Sequence, residues 1–249
     1  MDLPSIPPVA HVPSLAAGAP LGAFVDLEPH ERVVGLTPVD GTATVSLGTR
    51  GGVVKRVTVS APSARTRSAS IIALNDGDQV VGATFTPEAM AENAWLAFVT
   101  SEGNVLTFPA ATVRVQGAGA SGMAGISMPS DARAVFFGAV ADATDSGHEA
   151  MVATLAGSSS ALPGTELGSV KISPLSAFPD KGRATKGVRC HKLRATEDEI
   201  TLAWVGPGPV RGATAAGKPL TLPTPTDKRD ATGSSPSAPV AAFGGTIGS

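Results

Sequence analysis

A four-residue turn pattern, T-x-x-G, recurs along the chain at intervals of 51, 54 and 60 residues. It occurs at Thr49–Gly52, Thr100–Gly103, Thr154–Gly157 and Thr214–Gly217. A seven-residue block follows each of the first three matches, at residues 68–74, 122–128 and 187–193. Thr and Gly are common enough for the tetrapeptide alone to recur by chance, but a second block in the same register is much harder to explain that way. A period of about 50 residues is typical of β-modules packed side by side, as in propellers.

The apolar runs between the turns are short, rich in Val, Ile, Thr and Phe, and end in Gly, Asp, Asn or Pro. These features favour strands, and only residues 86–93 resemble a helix, of about two turns. We therefore predict an all-β fold, a propeller-like array of about four or five four-stranded blades. The repeat divides a domain of residues 21–222 into blades near residues 33–79, 80–133, 134–199 and 200–222.

The two ends of the chain differ in composition from the middle. Residues 1–20 contain five prolines, which favour an extended connector. Residues 223–249 are rich in Pro, Ser, Thr and Gly, which predicts a low-complexity, disordered tail. The sequence has no apolar run of about 18 residues, no basic-then-apolar start and a single cysteine. We therefore expect no membrane span, no signal peptide and a cytoplasmic location.

Positive charge is concentrated in two segments, although the net charge of the chain is only −2. Residues 50–67 and 181–194 together carry 11 of the 19 Lys and Arg residues and no acid. The rest of the chain has 8 basic and 21 acidic residues. A positive field on an acidic body is the arrangement that a phosphate backbone recognises.

The repeat places many of these basic residues ahead of the seven-residue blocks, at equivalent positions of consecutive modules. A run of charges is ordinarily a solvated surface, but the equivalence favours a track for a polyanion along one edge. The predicted phosphate contacts are Arg50, Lys55, Arg56, Arg65, Arg67, Arg114, Lys181, Arg183, Lys186, Arg189 and Lys192.

The sequence shows no arrangement of residues that points to catalysis, a cofactor or a metal ion. GAGASG, residues 117–122, matches the dinucleotide pattern G-x-G-x-x-G, but its surroundings are β rather than a β-α-β unit. The four histidines are scattered, and the adjacent Cys190 and His191 lack the spacing of metal ligands. The chain also has no tyrosine, no P-loop and no G-x-S-x-G elbow. We expect no catalytic residue, metal or cofactor on this chain.

Two stretches combine a turn, a basic loop and a strand in the same order. One reads LGTRGGVVKRVTVS and then LNDGDQVVGATF, at residues 47–60 and 74–85. The other reads GRATKGVRCHKLRATEDEI, at residues 182–200, and is similar to a recurring motif, G-R-x-x-x-G-V-x-x-x-K-L-x-x-x-D. Both resemble blades in the C-terminal domain of the A subunit of bacterial type IIA topoisomerases, and the resemblance extends over residues 1–222.

This resemblance implies a β-pinwheel, a disc of four-stranded blades whose basic rim binds and bends duplex DNA. The implied partners are the remainder of the A subunit, the ATPase B subunit, and double-stranded DNA, in the bacterial nucleoid. The strand-cleaving tyrosine of the family lies in another domain, so we expect this chain alone to cleave no DNA. The basic box Q-R-R-G-G-K-G of gyrase is missing here, and the predicted blades are fewer than gyrase has. Both points favour a topoisomerase IV-like subunit that supports DNA topology change and decatenation.

The alternative hypothesis is a propeller-like protein-interaction module that uses exposed hairpins and binds no DNA. Salt-dependent binding to duplex DNA distinguishes the two hypotheses, because only contact with phosphates releases counterions.

Overall fold

The computed structural model describes residues 27–29, 31–37, 42–60, 69–86, 93–140, 148–162 and 165–245. The chain forms two compact units, residues 1–33 and 34–249. In the described part of the first unit, the backbone N–H of Glu31 donates to the carbonyl oxygen of Glu28 at 2.9 Å and closes a turn. The predicted connector, residues 1–20, and residues 87–92 of the candidate helix lie outside the described residues.

Strands and two short 3-10 turns make up the regular structure of the described residues, which include no α-helix. The strands are β1 (Thr42–Thr49), β2 (Val53–Ser60), β3 (Val80–Thr86), β4 (Trp95–Thr100), β5 (Asn104–Pro109), β6 (Met123–Ala124), β7 (Ala134–Val140), β8 (Ala150–Gly157), β9 (Ser169–Pro174), β10 (Val188–Arg189), β11 (Glu199–Pro207), β12 (Arg211–Ala213), β13 (Pro219–Leu220) and β14 (Ala242–Gly244). The 3-10 turns are Ala110–Thr112 and Leu175–Ala177. The predicted all-β fold is confirmed.

The strands form four antiparallel sheets, ordered β3-β1-β2-β6, β10-β5-β4-β7, β11-β8-β9 and β13-β12-β14. Each of the first three sheets is built on a hairpin to which the next long strand returns, so that β3 pairs with β1, β7 with β4 and β11 with β8. The opposite edge of the first two sheets receives a two-residue strand from further along the chain, β6 on β2 and β10 on β5. Four sheets agree with the predicted number of blades, but among the described residues the third and fourth sheets have three strands instead of the predicted four.

The predicted blade boundaries do not coincide with the sheets. The boundaries drawn before residues 80, 134 and 200 separate β3, β7 and β11 from the hairpins that these strands pair with. Cross-strand packing explains the pairing of β3, since Val45 lies opposite Phe85 and Leu47 opposite Ala83. Each long strand therefore completes the sheet before it.

The C-terminal segment is ordered over residues 223–245, contrary to the predicted disordered tail. Ser234 and Val170 exchange backbone hydrogen bonds at 2.8 and 2.9 Å, which places Ser234 beside β9. β14 pairs with β12, with Phe243 opposite Gly212, and the side chain of Val240 is buried. Backbone hydrogen bonds hold this segment in place. Such bonds form whatever the side chains are, so a segment without the apolar residues typical of a strand can still be ordered.

Three of the four T-x-x-G matches form the predicted hairpin turns. Thr49, Thr100 and Thr214 each accept a hydrogen bond at Oγ1 from the backbone N–H four residues later, at 3.1, 3.2 and 3.2 Å. The glycines that end these turns have φ values of +81°, +78° and +75°, a region that residues with a side chain rarely adopt. The match at Thr154–Gly157 lies within β8 instead, and the loop from β8 to β9 is longer, residues 158–168.

The core lies between neighbouring sheets. Phe98 and Phe108 of the second sheet are fully buried, and Phe98 packs on Phe137 with 4.7 Å between ring centroids. Val54 of the first sheet and Ile126, just beyond β6, join the same cluster. The faces of the sheets are thus used for packing.

Candidate nucleic-acid interface

Three outer loops lie on the edges of the sheets. Each takes the number of the sheet whose strands come before it in the chain, so the numbers run from two to four. They are the second outer loop, residues 114–122, the third, residues 179–187, and the fourth, residues 226–233. The second and third loops leave β5 and β9 through the 3-10 turns, each of which begins after a proline. Their last six residues align as GAGASG (117–122), GRATKG (182–187) and KRDATG (228–233).

The same backbone hydrogen bond joins each seven-residue block to the next outer loop. The donor is the sixth residue of the block, and the acceptor is the carbonyl two residues before the final glycine of the loop. The pairs are Ala73 to Ala120 at 3.2 Å, Ser127 to Thr185 at 3.0 Å and Lys192 to Ala231 at 3.2 Å. These bonds join residues 69–74, 118–128, 183–193 and 229–235 into one continuous edge.

The final glycine of each outer loop is required by close packing. A Cβ on Gly122 would lie 2.8 Å from the carbonyl oxygen of Val54, and one on Gly233 would lie 2.7 Å from that of Val170. A Cβ on Gly187 would likewise overlap a carbonyl oxygen of β5, and Gly187 has a φ of +73°. Any side chain at these three positions would push the outer loop away from the sheet.

Lys55 and Arg56 do not lie on this edge, so their assignment to phosphate contact is wrong. Lys55 is fully buried, and its ammonium donates to the carbonyl oxygens of Ala118 at 2.8 Å and Ala120 at 2.7 Å. Burial lowers the pKa of the Lys55 ammonium. Arg56 is also buried, and its guanidinium donates to the carbonyl oxygens of Ala110, in the first 3-10 turn, at 3.0 Å and of Val113, just after it, at 3.2 Å. Both cations hold the second outer loop and the turn before it in place.

Lys171 has the same structural role as Lys55 in the third sheet, and the sequence reasoning missed it. It is buried, and its ammonium donates at 2.7 Å to the carbonyl oxygens of Cys190 and Arg229. Lys171 follows Gly168 by three residues, as Lys55 follows Gly52. A further T-x-x-G match, at residues 165–168, would have revealed this correspondence.

The other predicted contacts in the first two modules are dispersed. Arg50 is exposed in the first hairpin turn, where the N–H of Gly51 donates to the Asp78 carboxylate at 2.8 Å. Arg114 is exposed at the start of the second outer loop, in which it is the one basic residue. Arg65 and Arg67 lie outside the described residues.

The third outer loop and the block after it carry the densest cluster of cations. Residues 180–192 contain five Lys and Arg residues and one acid, Asp180. Four of the cations are exposed: Lys181, Lys186, Arg189 and Lys192. Arg183 is half-buried, and its guanidinium donates to the carbonyl oxygen of Ala124, which ties the third loop to β6. The structure therefore brings together five of the eleven predicted contacts.

His191, whose buried ring lies against β8 and β9, holds the fourth outer loop in place. The backbone N–H of Gly233 donates to Nε2 of this buried ring at 3.0 Å, so Nε2 has to be unprotonated. The ring proton is then on Nδ1, which donates to Thr154 Oγ1 at 2.9 Å. Burial lowers the pKa of His191 to about 4, so the ring is neutral at neutral pH.

The stability of the protein should therefore depend on the protonation of His191. The folded pKa is about 4, whereas the ordinary value is about 6.5, so only the unfolded chain binds this proton between those pH values. The contribution of the neutral His191 ring to the free energy of unfolding is therefore complete above pH 6.5. As the pH falls from 6.5 towards 4, the free energy of unfolding decreases by up to about 1.4 kcal/mol per pH unit. Urea unfolding at several pH values measures this slope. His191→Gln keeps an acceptor but does not titrate, and an equally steep slope in that variant would contradict the prediction.

The described residues contain no group of three or more His, Cys, Asp and Glu side chains arranged to hold a metal ion. The same part of the chain contains no helix long and apolar enough to cross a membrane. Arg133 forms a two-pronged ion pair with Glu199 and is neutralised by it.

Comparisons with known proteins show which family and which solved structures the chain is similar to. The family model described as "DNA gyrase C-terminal domain, beta-propeller" matches residues 44–87, 94–141 and 164–202. The DNA gyrase A subunit of Haemophilus influenzae is 31% identical over 209 residues, which cover 76% of this chain and 23% of that protein. Its counterpart in Salmonella typhimurium is 30% identical over 178 residues, which cover 70% of this chain and 18% of that protein. The chain thus spans less than a quarter of the length of either relative.

Two solved structures share the fold at low sequence identity. The C-terminal domain of DNA topoisomerase IV superposes with a TM-score of 0.68 and 19% identity, covering 91% of this chain and 69% of that one. The DNA gyrase A C-terminal domain superposes with a TM-score of 0.62 and 14% identity, covering 90% and 73%. At this level of identity the two structures establish the arrangement of sheets and nothing finer.

Proposed function

Because the chain belongs to the family of DNA gyrase C-terminal domains, which are β-propellers, we propose that it binds duplex DNA without sequence preference. The observation that carries the proposal is the cluster of exposed cations on the third outer loop. Four Lys and Arg side chains project from residues 181–192, and the acid nearest in sequence is Asp180. Long cationic side chains on a loop reach phosphate oxygens, which carry no sequence information. The described residues offer no helix that could read bases in a groove.

Bending of the duplex is the second part of the proposal. The outer edges of successive sheets are hydrogen-bonded into one continuous edge, so a bound duplex can touch more than one module. A DNA duplex that spans neighbouring modules is stiff and resists bending. The free energy of its contacts with those modules has to exceed the cost of the bend. Gel mobility of duplexes with the site at the centre or at the end measures the bend directly.

We further propose that the chain acts as part of the A subunit of a bacterial type IIA topoisomerase. Its partners would be the remainder of that subunit and the ATPase B subunit. The whole enzyme would be cytoplasmic and associated with the nucleoid. Strand cleavage would be performed elsewhere in the parent protein, because the chain has no tyrosine. The missing Q-R-R-G-G-K-G box supports a topoisomerase IV-like role in decatenation, whereas the curated relatives are gyrase subunits. Decatenation and supercoiling assays of the whole enzyme separate these two roles.

The double variant K186A/R189A tests the DNA-binding surface. Both side chains are exposed, and neither forms a side-chain hydrogen bond or ion pair with another described residue, so the fold should be kept. Removing two phosphate contacts should lower the slope of log affinity against log salt by about 1.8. Fluorescence anisotropy with a labelled duplex measures the slope at several salt concentrations.

K186R/R189K, which keeps both charges, is the matched control and should bind like the unmodified chain. Arg183 is less suitable for this test, because its guanidinium also holds the third loop on β6. A slope that does not change in K186A/R189A would remove these residues from the interface.

A further inference from the structure

We infer that the fourth outer loop, residues 226–233, is a second part of the duplex-binding surface, with Lys228 and Arg229 as its phosphate contacts. The inference rests on the proposed function. It concerns a segment whose composition predicts a disordered tail and whose residues fall outside the predicted contacts.

The fourth loop occupies the same structural position as the second and third. The carbonyl oxygen of Arg229 accepts from the buried Lys171, as that of Ala118 accepts from the buried Lys55. Gly233 packs against the carbonyl of Val170, as the other two loop glycines pack against β2 and β5. Lys228 and Arg229 therefore align with Gly182 and Arg183 of the third loop.

The fourth loop is also hydrogen-bonded to the seven-residue block at residues 187–193 and to Arg194, which follows it. The N–H of Lys192 donates to the carbonyl oxygen of Ala231 at 3.2 Å. The guanidinium of Arg194 donates to the carbonyl oxygen of Gly233 and to Ser235 Oγ, the latter at 3.3 Å. The exposed cations of the two segments thus lie on adjoining stretches of one edge.

Two acids in the fourth loop, Asp227 and Asp230, balance its formal charge, and both are exposed. Burial lowers the pKa of the Lys171 ammonium, and the negative charge of Asp230 acts in the opposite direction on it. Asp227 lines a cavity of about 860 Å³ beside His148 and the prolines of residues 223–225. The side chains of Lys228 and Arg229 are exposed.

The second outer loop differs from the other two, since GAGASG has no charged side chain at any of its six positions. Among the described outer loops, cations are therefore concentrated on the third and the fourth. A duplex held by these two loops would lie over the edges of the second and third sheets, because Gly187 packs against β5 and Gly233 against β9. It would make fewer contacts with the second loop.

The double variant K228A/R229A in the full chain tests the inference. It keeps the backbone carbonyl that Lys171 requires, so the fourth loop should stay in place, and thermal unfolding checks this. The slope of log affinity against log salt for a labelled duplex should fall by about 1.8, with at least about a tenfold loss of affinity near 0.1 M salt. R211A/K218A is the matched control, because it removes two exposed cations from β12 and its hairpin, in the fourth sheet, away from the outer edge. The control should change the slope by much less.

The outcomes separate the inference from the proposed function. If K186A/R189A lowers the slope and K228A/R229A leaves it unchanged, the inference is overturned and the proposed function stands. If both R211A/K218A and K228A/R229A lower it equally, the effect reflects net charge, and the inference is again overturned. If the unmodified chain fails to bind the duplex at low salt, the proposed function fails and the inference fails with it.

Discussion

A chain that ends at residue 222 is expected to unfold at a temperature roughly 10 °C or more below that of the full chain. The deletion removes β14, the buried Val240 and the strand-like pairing of Ser234 with Val170. It also leaves the buried Lys171 without one of its two carbonyl partners. Together these losses amount to about 3–5 kcal/mol, a large part of the stability of an ordinary domain. Circular dichroism at the strand signal during heating measures the change.

A chain that ends at residue 245 is the control for this truncation. It keeps β14 and every contact named above, so its unfolding temperature should match that of the full chain. Equal unfolding temperatures for the two truncated chains would mean that residues 223–245 contribute nothing to the fold. That result would agree with the tail predicted from composition and contradict the packing of the fourth outer loop.

Replacement of Lys55 by methionine is expected to lower the free energy of unfolding by about 2–4 kcal/mol. Methionine is unbranched like lysine and only one atom shorter, but it leaves the carbonyl oxygens of Ala118 and Ala120 without their charged donor. The salt dependence of DNA binding should stay the same, because the buried ammonium cannot reach a phosphate. Urea unfolding and duplex titration of the same preparation measure both effects.

Lys171→Met should cause a loss of similar size, since Lys171 also donates to two carbonyl oxygens. Lys218→Met is the control on an exposed lysine and should change the free energy of unfolding by only a few tenths of a kcal/mol. If Lys55→Met left stability unchanged and flattened the salt dependence, Lys55 would be a phosphate contact, as the sequence had suggested.

The repeat made the fold predictable. A turn that needs a threonine hydroxyl and a glycine with positive φ leaves a local signature, and three of the four matches formed such turns. The strands between them are also local, since they depend on short β-branched runs. Which sheet a strand joins depends on contacts far along the chain, and the predicted blade boundaries accordingly differ from the sheets.

The candidate site was predictable only in part, because the burial of a side chain depends on residues that are far away in the sequence. Lysine and arginine are usually exposed, so Lys55 and Arg56 were grouped with the surface cations. The carbonyl partners of Lys55 lie 63 and 65 residues away in sequence, and nothing near Lys55 indicates them. The fourth outer loop was missed for a related reason, since its Pro- and Ser-rich sequence is held by main-chain bonds and by Lys171 and His191.

Binding of the unmodified chain to two duplexes of unrelated sequence, between about 50 and 200 mM salt, tests the central claim most directly. If the four exposed cations of residues 181–192 and the pair at 228 and 229 contact phosphates, log affinity should fall with log salt with a slope of roughly −5. The slope and the affinity should be the same for both sequences. Absence of binding at the lowest salt, or binding that depends on sequence and hardly on salt, would contradict the claim.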